Sequence, residues 1–214
     1  MNQATDPNDS LVISYLTLRK AVGILGLALP FLLAFGGMWL DRKFGVHSSI
    51  SGYYYTGMRN VLVGTLCAIG TFMMSYRGYE RKDDVAGDLA CVFAIGVALC
   101  PTNPDPNTSS LMGSVHYLFA ALLFLTLAYF SLCLFTKTDS TVPPTRKKLQ
   151  RNAVYKACGY AILGAVVLIL VVKYLPEGVR TEIARLNPVF WLESIAVIAF
   201  GISWLTKGEA ILGD

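Results

Sequence analysis

Six apolar runs of roughly membrane-spanning length dominate the chain, and no other feature constrains its fold as strongly. A helix rises 1.5 Å per residue and needs about 20 residues to cross the roughly 30 Å of hydrocarbon in a bilayer. Runs of about that length lie at residues 21–40, 60–76, 85–100, 114–135, 157–172 and 188–206. The third is the weakest, because Asp88 must be counted to give it length. Pro30 is expected to kink the first, and Pro101 to end the third. Charged residues make up 15% of the 214 residues, against about 25% in soluble domains. That is too little polar surface to coat a globule of this size. The sequence therefore predicts an all-α, polytopic membrane helix bundle with six transmembrane helices, forming one transmembrane domain over residues 1–214.

Basic residues orient it. With the N-terminus inside, Arg19, Lys20, Arg77, Arg81, Lys82, Lys137, Arg146, Lys147, Lys148, Arg151, Lys156 and Lys207 face the cytoplasm. Only Arg42, Lys43, Arg59, Lys173, Arg180 and Arg185 face out. The loop 101–113 has no basic residue and the linker 137–156 is rich in them, so the positive-inside rule predicts an N-in/C-in topology. Residues 1–18 are then a cytoplasmic segment, 41–59 an external loop and 136–152 a basic cytoplasmic linker. No basic n-region of a cleavable signal precedes the first run. The net charge of +4 flanks apolar runs and does not indicate a nucleic-acid partner.

Five cysteines, an odd number, fall within apolar segments without metal-ligand spacing and read as small packing residues. Ala157, Ala161 and Ala165, Gly64 and Ala68, and Ala94 and Ala98 recur four residues apart, the spacing of close helix contacts in lipid. Asn107-Thr108-Ser109 matches the N-x-[ST] pattern, which matters only in a secreting eukaryotic cell.

Ionisable residues at membrane depth are costly, so each is a candidate for function. Glu193 lies about 7 Å and His116 about 3 Å below the outer starts of their helices, by the helical rise. Asp88 lies at the opposite, cytoplasmic end, near Arg77, Arg81 and Lys82, where an ion pair is the plain reading. The external stretch His47–Arg59 holds Ser51, three consecutive tyrosines (Tyr53, Tyr54 and Tyr55) and Arg59. Tyrosine favours the headgroup level, but an Arg beside hydroxyls, a His and a carboxylate can also bind phosphate. Ser51, Tyr54, Arg59, His116 and Glu193 thus form the candidate ligand-binding set, with Arg59 and Glu193 expected to pair. Zinc chemistry needs about three ligands rich in His, and only His47 and His116 exist, so no metal and no cofactor are expected. A Ser-His-acid arrangement from Ser48, Ser49 or Ser51 with His116 and Glu193 lacks a G-x-S-x-G elbow.

Ser49-Ile50-Ser51-Gly52-Tyr53-Tyr54-Tyr55, Arg59, the run 61–80, the run 90–102 and Val115-His116-Tyr117 carry a resemblance. Together they resemble a broad group of uncharacterised bacterial six-span membrane proteins and, more loosely, the DRAM/Frag/Sfk superfamily. The resemblance covers residues 20–206 and implies six spans and a polar outer site; the expected location is the cell membrane, in a bacterium the inner membrane. The zinc site of alkaline-ceramidase-type and adiponectin-receptor-type hydrolases is not carried over, because the third His and the seventh helix are missing. The functional expectation is a non-enzymatic protein whose outer-leaflet pocket binds lipid headgroups. The alternatives are a homo-oligomeric channel or effector governed by a cytoplasmic protein partner, and then a lipid hydrolase or transferase.

Overall fold

The computed structural model describes residues 7–42, 44–78, 80–104, 108–138 and 143–212, with side chains from Tyr15 onward. Asn107 of the N-x-[ST] match, Lys43 and the start of the 1–18 segment lie outside this description. Every regular element among the described residues is helical. These are α1 (Pro7–Asp41), a 3-10 turn (Ser51–Tyr55), α2 (Arg59–Met74), α3 (Arg81–Leu99), α4 (Leu111–Tyr129) with a π turn (Phe130–Leu134), α5 (Arg146–Tyr174), α6 (Glu177–Ala184) and α7 (Pro188–Lys207).

Four segments are long and apolar enough to cross a membrane: Tyr15–Asp41, Leu111–Leu134, Arg146–Tyr174 and Pro188–Lys207. α2 is apolar but only 16 residues long, and α3 opens on four charged residues. Large apolar side chains face outward along these helices, among them Phe35, Val92, Leu118, Val167 and Ile195. A soluble monomer rarely exposes so much contiguous apolar surface, whereas a lipid-facing one must.

Two boundaries differ from expectation. α1 is already helical at Pro7, so part of the 1–18 segment belongs to it, and Pro30 lies inside it without ending it. α5 starts at Arg146 and takes in the basic end of the 136–152 linker. The reason is local: Thr145 follows Pro143-Pro144, and its Oγ1 accepts from Lys148 N at 3.2 Å, a helix N-cap. α6 was not anticipated. It is a short surface helix with no buried residue.

Each helix from α2 to α5 packs on its predecessor; α7 packs on α5 and returns to α1, closing a ring of six. The closure depends on small residues. A Cβ on Gly201 would lie 2.7 Å from Leu27 N and 2.8 Å from Gly23 O, so the α1 and α7 backbones touch. α2 and α3 meet similarly at Gly70, whose Cβ would stand 3.2 Å from that of Ala94. Ala94, Ala98 and Ala165 are buried, whereas Gly64 faces open space and Ala157 is exposed. Ser131 and Ser203, both fully buried, join α4 to α7 across the ring through hydroxyls 2.9 Å apart. Of the cysteines, Cys91 and Cys158 are buried, Cys133 is exposed and all five are unbridged.

One core, around Tyr76, Phe130, Phe135, Tyr155 and Trp204, fills the Arg19 end of the ring. A second, around Leu33, Ile50, Tyr53, Met58 and Phe190, lies under the loop that follows α1.

Candidate functional site

The loop 42–58 leaves α1 through Arg42 and Gly45, both with positive φ, and folds back over the mouth of the ring. Tyr53 and Met58 point down into it. Gly36 and Gly37 make room, because a Cβ on Gly36 would collide with Met58 and one on Gly37 would lie 2.7 Å from the Tyr53 ring. Tyr53 packs on His47 and Phe190, with ring centroids 4.7 and 6.1 Å away, and burial pushes its phenol above the usual range.

Polar bonds then tie this lid to three neighbours: α7, the segment after α3, and α4. Ile50 N donates to Glu193 Oε2 at 2.6 Å, and the Ser51 amide also bonds that carboxylate. Phe190 N donates to Ser48 O at 3.1 Å and Asn187 Nδ2 to Val46 O at 3.0 Å, both from the start of α7. Tyr55 OH donates to Thr102 O at 2.6 Å, beside α3. Ser51 Oγ and His116 Nε2 of α4 are 2.9 Å apart.

His116 has its other nitrogen, Nδ1, 2.6 Å from Cys100 O. A carbonyl only accepts, so Nδ1 carries the proton, and in the neutral ring Nε2 accepts from the Ser51 hydroxyl. Hydroxyl, imidazole and orienting carbonyl thus stand in the order a nucleophile–base pair requires. Acyl chemistry also needs N–H donors aimed at a developing oxyanion. The amides around Ser51 are already engaged: Ile50 and Ser51 with Glu193, Gly52 with Ser49 Oγ at 2.9 Å and Tyr53 with Ile50 O at 3.2 Å. The arrangement therefore acts as a lock that holds the lid down.

Beneath it lies a cavity of about 60 Å³, walled by residues such as Leu29, Leu62, Val97, Leu123 and Phe200, with Ser51 and Glu193 at its edge.

The structure thus brings Ser51, His116 and Glu193 together and leaves Tyr54 and Arg59 outside. The expected Arg59–Glu193 pair does not form. Arg59 is exposed, donates from Nη2 to Tyr54 OH at 2.5 Å and stacks 4.2 Å from that ring's centroid. Glu193 takes backbone amides instead, which the lid delivers without a long side chain having to reach inward. Asp88, toward the other end of α3, is exposed and lies 3.8 Å from Arg77. Among the described residues no three His, Cys, Asp or Glu side chains gather as metal ligands.

Two features escaped the sequence reading. Asp83, only 1% exposed, holds Lys137 Nζ at 2.7 Å and forms a reciprocal cap with Glu80 at the start of α3. The hydrogen bond from Lys137 to Asp83 raises the lysine's pKa above the ordinary value. Between α3 and α4 runs an open groove of about 740 Å³, walled by Leu89, Phe93, Leu125 and Tyr129 and ending at Arg81 and Lys82. Its signal was present: Arg81, Val85, Leu89 and Phe93 recur every four residues and so form one stripe of a helix.

No family model matches the chain, and no curated protein or solved structure matches it either.

Proposed function

We propose that this is a six-span membrane protein with both termini in the cytoplasm, and that it binds an anionic phospholipid in the α3–α4 groove without chemically altering it. The groove carries the reading. Its walls are apolar and its two bases stand together at one end, the polarity of a phospholipid lying along a helix pair. Under the N-in orientation that end meets the inner leaflet, where anionic headgroups attract Lys and Arg. α3 has 19 residues, about 28 Å of helix, enough to serve as a span beside α2. The lipid site thereby moves from the outer pocket to the inner end of α3, because the outer polar groups are bonded to the lid. A channel within one chain gains no support from a ring stoppered by aromatic side chains at one end and a loop at the other.

Native mass spectrometry of the purified chain, with phosphatidylglycerol as the probe, tests the reading. Each base removed is expected to weaken retention about fivefold, from roughly 1 kcal/mol per charge at a lipid surface. Arg81→Gln with Lys82→Gln thus lowers it more than tenfold, and Leu125→Trp, which fills the groove, does likewise. Unchanged retention in both variants sinks the proposal.

Topology is tested separately. A membrane-impermeant thiol reagent applied to intact cells is expected to label Ser109→Cys but not Thr145→Cys, above the background of native cysteines. Equal labelling of the two rules out the N-in, six-span arrangement.

A further inference from the structure

At the end of the ring opposite the lid, cations from α1, α5 and α7 gather on one aromatic floor. Arg19 lies with its guanidinium carbon 4.1 Å from the centroid of Tyr15 and 5.6 Å from that of Tyr76. Lys207 Nζ stands 5.5 Å from the Phe135 ring. Lys148 Nζ donates to Phe135 O at 3.0 Å and lies 6.0 Å from the Tyr155 ring. These rings are in mutual contact: Phe135 has Tyr155 and Trp204 at 5.4 Å and Tyr76 at 6.2 Å. The end of α7 comes this close to α1 because Gly208 has no side chain; a Cβ there would lie 3.1 Å from Lys20 N and 3.2 Å from Arg19 Cβ.

Arg19, Lys148 and Lys207 are half-buried rather than spread into water. Among the described residues the ion pairs of this end go elsewhere: Lys137 holds Asp83 and Glu80, and Arg77 holds Asp88. Lys207 senses the positive charges of Arg19, Lys148 and Arg151, opposed by Asp83, which is already bonded to Lys137. Glu209, exposed just past α7, is a further acid in range of this cluster. A second observation points the same way: the Nε of Arg19 is buried and has no hydrogen-bond partner. Like charges held together in a partly desolvated site repel strongly unless an anion joins them.

We infer that Arg19, Lys148 and Lys207 bind a phosphate-bearing anion at the ring's cytoplasmic end, between α1, α5 and α7. Arg19 offers a planar fork matched to phosphate oxygens, and the two lysines supply point charges. The phosphate belongs either to an inner-leaflet phospholipid or to a soluble phosphoryl compound. The site lies on a different set of helices from the α3–α4 groove and does not depend on it.

The test is thermal unfolding of the full chain in phosphatidylcholine nanodiscs at matched ionic strength. One arm adds inorganic phosphate to the buffer; the other replaces part of the lipid with phosphatidylglycerol. At least one addition is expected to raise Tm. A response to phosphatidylglycerol alone assigns a lipid headgroup, and a response to phosphate assigns a soluble anion. Arg19→Gln with Lys207→Gln should raise the half-saturating concentration roughly tenfold or more, from the loss of two charges. Lys156→Gln, on the exposed face of α5, should leave it unchanged; the phosphatidylglycerol arm is read in the Arg81→Gln, Lys82→Gln background, so that the α3–α4 groove does not contribute. Should the double variant fail to fold, Lys148→Gln alone is expected to weaken the response about fivefold while Lys207→Arg retains it. No response to either addition, or equal losses in Lys156→Gln and the site variants, overturns the inference.

Discussion

Replacing Glu193 with leucine is expected to destabilise the protein by about 2–6 kcal/mol, while Glu193→Gln costs less than about 1 kcal/mol. The carboxylate accepts from Ile50 N at 2.6 Å and from the Ser51 amide, under a lid whose Ile50 is 6% exposed. Leucine strands both amides in an apolar setting, and each buried unsatisfied donor costs about 1–3 kcal/mol. Glutamine keeps an acceptor oxygen in the same place, so its effect is small if hydrogen bonding rather than charge holds the lid. Equilibrium unfolding in mixed micelles gives the two values, and amide exchange at Ile50 and Ser51 shows whether the lid has opened. Equal losses in the leucine and glutamine variants would discard the lock. Arg59→Gln and Glu193→Gln should combine additively, since Arg59 bonds Tyr54. A coupling above about 1 kcal/mol would restore the Arg59–Glu193 pair that the geometry removes.

The Asp83–Lys137 pair is the second site of large effect. Lys137→Met leaves Asp83, 1% exposed, without its 2.7 Å cation and is expected to cost about 3–5 kcal/mol, the usual consequence of breaking a buried pair from one side. Asp83→Asn in the same chain should recover most of that loss, because asparagine keeps an acceptor for the α3 cap without an unpaired charge. The pH dependence follows from the raised Lys137 pKa. A lysine whose pKa is raised on folding contributes fully below its unfolded value, about 10.4, and loses that contribution as pH climbs through the higher folded value. The wild type and Lys137→Met stability curves should therefore run parallel across neutral pH and converge only in strong alkali. Convergence near neutrality, or a double variant no more stable than Lys137→Met, would refute the assignment.

Much of the fold could be read locally. The apolar runs behind α1, α4, α5 and α7 need no partner to be recognised, because hydropathy and length alone decide whether a helix suits a bilayer. The depth of His116 and Glu193 followed from the helical rise, and the two do end up holding the same loop. α3 was harder. Its first turns are charged, and without the reciprocal Glu80–Asp83 cap they read as a loop edge. α6 lies in a stretch of mixed polarity that hydropathy leaves unassigned.

Pairing was a different matter. On charge alone Glu193 calls for Arg59, but the loop returns over the ring and two backbone amides arrive first. Asp88, prominent in sequence as a carboxylate inside an apolar run, lies on the exposed face of α3. Asp83, one of two adjacent acids and inconspicuous for that reason, faces inward. A rotation of 100° per residue separates the faces of such neighbours, and only the identity of the next helix says which face is inside.

The sequence by itself thus determined a helical chain with apolar helices long enough to cross a membrane, and where the polar residues lie along them, because those properties belong to single segments. The tertiary structure alone decided that α7 closes against α1 at Gly23 and Gly201, that the 42–58 loop becomes a lid, and that Ser51, His116 and Glu193 meet while Arg59 stays outside. These are choices among neighbours. They turn on how closely two backbones can approach and which donor reaches an acceptor first, and neither quantity exists until the helices are packed.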